Sequence, residues 1–124
     1  MAKWLIRTFT TETGGKPVDD WIRSLAPSAR AEVALTIDLL KEHGTALTMP
    51  FARYIENGIW ELRARDADGI YRVIYFHWKG RTFALLHGLT KKTEATPRKD
   101  IELAVRRRDL WLSRASARRR KGNG

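Results

Sequence analysis

The chain has no cysteine, which excludes a disulfide framework and thiolate chemistry and suits a reducing compartment. It also lacks any apolar run near the roughly 20 residues of a membrane span. The opening "MAKWLIRTFT" is broken by Arg7 after three apolar residues, so it reads as neither a leader nor an anchor. A cytoplasmic protein without membrane contact is therefore expected. The three histidines, His43, His77 and His87, show no metal-ligand spacing, and no paired carboxylates stand ready for a divalent ion. No metal or other cofactor is expected. Acidic residues are sparse in the last third, where Lys91 to Gly124 hold 12 lysines and arginines against 4 acids, whereas residues 1–90 hold 12 against 10.

What is present fits one folded domain. The 124 residues are 43% hydrophobic and include five tryptophans, enough for one modest core but not two. Residues 1–113 read as a single domain and 114–124 as a basic, flexible tail. The net charge of +10, gathered toward one end, suggests a polyanionic partner such as nucleic acid or an acidic protein. For the terminal "SARRRKGNG" a merely solvated run is an equal reading.

Periodicity and turn residues set out the elements. "KWLIRTFT" reads as a first strand bounded by Gly14-Gly15. Pro17 suits a helix start with Asp19 and Asp20 at its positive end, and Pro27 opens a second helix that stops at Gly44. The two helices, 17–25 and 28–43, should form a hairpin on one face of a sheet. Three strand-like runs follow, "IWELRAR", "IYRVIYFHW" and "TFALLHGLT", separated by "DADG" and "KG", short enough for an antiparallel meander. Thr96-Pro97 reads as an N-cap and a first-turn proline. Ile101, Ala104, Val105, Arg108, Trp111 and Leu112 then form a stripe that should dock on the sheet. The expected class is α+β, with Trp21, Ile22, Val33, Ile37, Leu40, Leu62, Val73 and Leu86 in the core.

Hairpin arithmetic brings distant cations together. A turn at Lys79-Gly80 would set Arg72 opposite His87, and a loop at Asp66 to Gly69 would set Arg63 opposite Arg72 and Arg65 opposite Ile70. One row would then read Arg63, Arg72, His87, with Lys91 and Lys92 just past the strand end and few carboxylates near them. For Arg63 and Arg65 the plain alternative is an exposed strand face paired with Glu61 and Asp66. Arg72 interrupts "IYRVIYF", where an exposed position is not expected, and a salt bridge to Glu61 is its plain alternative.

The stretch "MPFARYIENGIWELRARDADGIYRVIYFHWKGRTFALLHGLTKKTEATPRKDIELAVRRR" resembles the core of HigB-like toxins, the phage-derived branch of the RelE/ParE toxin-antitoxin superfamily. It carries an E-L-R strand, a Y-R-x-x-Y strand, a closing L-L-H-G strand, then K-K-T and a T-P-x-x-x-I-x-x-A helix. The likeness runs from about Trp4 to Arg108 and leaves the tail beyond Trp111 outside the pattern.

This resemblance implies a RelE/ParE-like fold and a toxin held by a cognate antitoxin, one with a helix-turn-helix domain and an acidic contact region. In the RelE and HigB branches it implies metal-independent cleavage of mRNA on the ribosome, with inhibition of translation. The ParE branch, with gyrase inhibition, and a non-catalytic nucleic-acid-binding module are the alternatives. Arg63, Arg72, Lys91 and Lys92 are the expected catalytic set, because arginines clamp phosphate bidentately and a lysine crowded by other cations exchanges protons more readily. Arg65, Tyr75 and His87 are supporting candidates, although the strand parity of Tyr75 also suits the core beneath the helices. Arg98, Lys99, Arg106 and Arg107 are expected to contact nucleic acid.

Overall fold

The computed structural model describes residues 3–91 and 95–123; Lys92, expected at the site, lies outside them. The elements are β1 (Leu5–Thr8), α1 (Pro17–Ser24), α2 (Pro27–His43), a 3-10 turn (Gly44–Ala46), β2 (Ala52–Glu56), β3 (Ile59–Asp66), β4 (Gly69–Lys79), β5 (Thr82–Lys91) and α3 (Arg98–Asn123). The fold is α+β, as expected. One five-stranded sheet has the order β1-β5-β4-β3-β2, with β1 parallel to β5 and the other pairs antiparallel.

Strand β2 was not anticipated. It pairs with β3 across the two-residue turn Asn57-Gly58, whose residues have φ of 50° and 75°. Positive φ at both central positions matches the right-handed twist of the flanking strands, and Asn-Gly adopts that geometry most readily.

The sheet separates two apolar layers. Beneath α1 and α2 lie Val18, Val33, Leu40, Leu62, Val73, Phe83 and Leu85, with Trp21, Ile22 and Ile37 partly buried against them. On the other face α3 covers Ile59, Ile74, Phe76, Ala84 and Leu86 with its own Ala104, Val105 and Trp111. Parity explains the division, since odd residues of β3 face α3 and even ones face the helical hairpin. Each fully buried Leu or Val contributes about 1.5–3 kcal/mol. Gly88 has a packing reason: a Cβ there would sit 2.2 Å from Cε3 of Trp21, so only glycine lets that indole lie flat on β5.

Two expectations about α3 need correction. Thr96 does not cap it, because its hydroxyl turns inward to the sheet. The helix also continues through Asn123, where a tail was expected from residue 114. Ala, Arg, Lys and Ser dominate this stretch, and no proline interrupts it, so helical propensity carries the chain on. Arg114 ties the extension down by donating to the Thr10 carbonyl at 2.6 Å. Among the described residues no helix is long and apolar enough to cross a membrane.

Candidate functional site

The candidate cations lie on the α3-facing side of the sheet. Arg63 stands opposite Arg72, and Arg65 opposite Ile70, as the hairpin count anticipated. His87 does not stand opposite Arg72. Arg72 pairs with Leu89, Ile70 with Lys91 and Ile74 with His87. The cause is a turn at Gly80-Arg81 rather than Lys79-Gly80, with Gly80 supplying the positive φ of 52°; the single-residue irregularities at Trp78 on β4 and Leu86 on β5 offset each other. Three rows therefore cross this face: Glu61-Ile74-His87, Arg63-Arg72-Leu89 and Arg65-Ile70-Lys91. The shift of two residues preserves parity, so His87 and Lys91 still flank Arg72 diagonally.

Glu61 organises the middle of the cluster. Both Glu61 and Arg72 are 0% exposed. Glu61 Oε1 lies 3.0 Å from Arg53, 3.8 Å from Arg63 and 3.8 Å from Arg72. Thr96 bridges the pair, donating to Glu61 Oε2 at 2.5 Å and accepting from Arg72 Nη1 at 2.6 Å. This corrects the expectation of a carboxylate-poor cluster. Arg72, fully buried in this arrangement, anchors the chain just before α3 to the sheet. A carboxylate sharing parity with the buried Ile59 was the signal in the sequence that Glu61 would point inward.

The remaining candidates separate by exposure. The Arg63 side chain is only 10% exposed, Lys91 is half-buried and Arg65 is exposed, so Arg65 and Lys91 form the open end of the face. Tyr75 lies on the opposite face, in the layer beneath α1 and α2 and edge-on to Phe83. Burial pushes its phenol well above the ordinary value of 10.0. Parity therefore removes Tyr75 from the site. His87 Nε2 meets Asp100 Oδ1 at 2.7 Å, which clips the first turn of α3 to β5.

The basic residues of α3 have different surroundings. Arg107 donates to the Leu86 carbonyl at 2.8 Å and lies over the Phe9 ring. Burial, and then the neighbouring Arg106, lowers its guanidinium below the ordinary range. Its position holds α3 onto β5. Arg98 grips Glu56, with Nη2 to Oε2 at 2.9 Å, and this hydrogen bond draws the Glu56 carboxyl below its ordinary value. Lys99 and Arg106 face solvent.

Residues 20–109 match the model of the family described as "Phage derived protein Gp49-like (DUF891)". The chain belongs to that family. The matched segment contains every member of the three rows and the Glu61 hub. Two curated relatives, each described as "Probable endoribonuclease HigB1", come from Mycobacterium tuberculosis strains CDC 1551 / Oshkosh and ATCC 25618 / H37Rv. Each is 28% identical over 111 residues, covering 90% of this chain and 86% of the relative. The resemblance read from the strand motifs is thus met by both the family and the relatives' description.

Proposed function

We propose that this Gp49-like chain is the toxin of a type II toxin-antitoxin pair and acts as an endoribonuclease on mRNA at the ribosome, inhibiting translation in the cytoplasm. The observation that carries this reading is the open cationic end of the α3-facing sheet, Arg65 and Lys91, built on a buried Glu61-Arg72-Thr96 anchor within the family-matched segment. The relatives described as endoribonucleases support the same reaction class.

The reaction is attack by a ribose 2′-OH on the adjacent phosphorus. A new O2′–P bond forms and the P–O5′ bond breaks, leaving a 2′,3′-cyclic phosphate and a 5′-OH. The 2′-OH proton must leave, the phosphorane gains negative charge, and O5′ must acquire a proton. Arg65 and Lys91 supply charge at the phosphate, with Arg63 at the margin. Lys92, adjacent in sequence, is assigned to proton transfer with Lys91. Arg72 is a positioning residue in this scheme, since it acts through Thr96 and Glu61. His87 also acts indirectly, by fixing α3 through Asp100. The partner that restrains the toxin is a cognate antitoxin of helix-turn-helix type whose acidic region covers the basic surface; charge complementarity speeds such association and makes it salt-sensitive.

The test is a translation reaction programmed with a defined mRNA, read by primer extension, alongside a gyrase supercoiling assay. Cleavage at discrete positions by the wild type, with supercoiling untouched, is the expected result. Intact mRNA together with inhibited supercoiling would replace this reading with gyrase inhibition. Intact mRNA and normal supercoiling would leave a binding module without chemistry.

A further inference from the structure

A second cationic surface lies away from these rows, where α3 crosses the outer edge of β1. A cleft of about 650 Å3 opens there, with Arg7, Lys16, Arg114 and Arg118 on its walls and the indoles of Trp78 and Trp111 among them. The two rings meet edge to face with centroids 5.3 Å apart. Among the described residues Asp19 is the one carboxylate lining the cleft, and none of the four cations is in an ion pair. The β1 wall pairs with Thr82 to Leu85, so at about 3.3 Å per residue it lies roughly 20 Å along β5 from Lys91. All four cations lie outside residues 20–109, the segment shared with the family.

We propose that this cleft is an anchoring site for single-stranded RNA, separate from the cleavage face. The inference rests on the reading above that the chain acts on RNA. Unpaired cations interleaved with indoles are the combination that holds a single strand, with phosphates on the charges and bases against the rings. An acidic peptide added as a sixth strand suits the cleft less well. The free edge of β1 is only four residues long, and Arg114 crosses its end to take the Thr10 carbonyl, which stops a main-chain ladder from extending. The extension of α3 past the family segment thus gains a role: it supplies Arg114 and Arg118 to one wall.

The experiment titrates a short 2′-O-methyl RNA, which cannot be cleaved, onto the full chain and follows tryptophan fluorescence at several salt concentrations. The double variant Arg7→Glu, Arg118→Glu should bind at least tenfold more weakly. Its log-log salt slope should fall by about 1.4, at about 0.7 per phosphate contact on a single strand. Arg23→Glu, Lys41→Glu makes the same change in net charge on the α1/α2 side and should bind like the wild type. Lys16→Glu probes the cleft without touching α3 and should weaken binding in the same direction, which protects the test if the double variant is poorly folded. In programmed translation reactions the cleft variants should raise KM and leave kcat unchanged. Equal RNA binding by wild type, Lys16→Glu and the double variant overturns the inference, as does loss of polyglutamate binding with RNA binding intact. RNA binding through the cleft without any mRNA cleavage would refute the endoribonuclease reading and leave this inference standing.

Discussion

Arg72 and Arg118 carry the same guanidinium, yet one is sealed beneath Thr96 against a buried carboxylate and the other faces solvent at the rim of the β1-α3 cleft. The first region gathers Arg53, Arg63 and Arg72 onto a single carboxylate oxygen. Burial ties the Arg72 charge to Glu61 and Thr96, because desolvated ions are tolerated only when paired and hydrogen-bonded, whereas Arg53 keeps 40% of its side chain exposed. The second region brings together three exposed cations, Arg7, Lys16 and Arg118, with the half-buried Arg114, and none of the four forms an ion pair among the described residues. A positive residue count is thus blind to the difference. Charge that is neutralised inside the fold acts as structure, and charge left facing solvent attracts a polyanion at long range.

The comparison breaks most sharply at its hub. Glu61→Ala removes the carboxylate and leaves Arg72 buried without it, so the chain should lose about 3–5 kcal/mol of stability in urea titration. A loss below about 1 kcal/mol would mean that Thr96 and the remaining contacts hold Arg72 unaided. At the open end of the same face the effect should appear in rate instead. Lys91→Ala or Arg65→Ala should slow mRNA cleavage by a hundred- to a thousandfold, about 3–4 kcal/mol of transition-state stabilisation, at a thermal midpoint close to wild type. Unimpaired cleavage by the Arg65→Ala, Lys91→Ala double variant would reduce this face to a solvated basic surface.

The cleft should respond more mildly. Arg114→Ala loses the bond to the Thr10 carbonyl and the contact over Phe9, at a cost of about 1–2 kcal/mol. Hydrogen exchange should rise first in the last turns of α3 and leave the Glu61 region protected; loss of protection at Glu61 would show that the two regions are one cooperative unit.

The smallest effect belongs to a site outside both regions. Asp66 accepts from Ser28 at 2.7 Å, from Tyr71 at 2.8 Å and from the N–H groups of Asp68 and Gly69. The Ser28 bond is the largest influence holding its carboxyl below the ordinary 3.8, with burial opposing and the Tyr71 bond assisting. A lowered folded-state value contributes stability that is present above 3.8 and lost as pH falls through the folded value. Asp66→Asn should therefore be less stable than wild type at pH 7, with the gap closing on acidification below about pH 3.8. A gap independent of pH would assign the effect to packing alone.

Local rules account for much of what the residues specify directly. Pro17 and Pro27 mark two helix starts, the 3.6-residue period places Val33 and Leu40 inward, and glycine-containing loops enforce the antiparallel meander. Asn57-Gly58 is an equally clear hairpin signal for β2, but "ARYIE" is a short strand beginning just after a proline-containing loop, so its own strand pattern is weak. The strand motifs also carried the family, since they describe which residue types alternate along each strand. Parity was sufficient to bring Arg63, Arg72 and Lys91 to one face, because the observed register differs from the hairpin count by two residues and not by one.

Only the tertiary structure decided what those residues do on that face. Register depends on where the turn falls, and closing it at Gly80-Arg81 instead of Lys79-Gly80 moved Arg72 from His87 to Leu89, while the irregularities at Trp78 and Leu86 offset each other. Whether an arginine is open or sealed depends on what crosses above it, and that was settled by Thr96 turning inward at the start of α3. The parallel pairing of β1 with β5 joins residues 77 positions apart, and the crossing of α3 over the β1 edge joins Arg114 and Thr10, 104 apart. No local pattern encodes such a contact, because it arises when two apolar layers are buried on opposite faces of one sheet and the elements must take the positions that cover both.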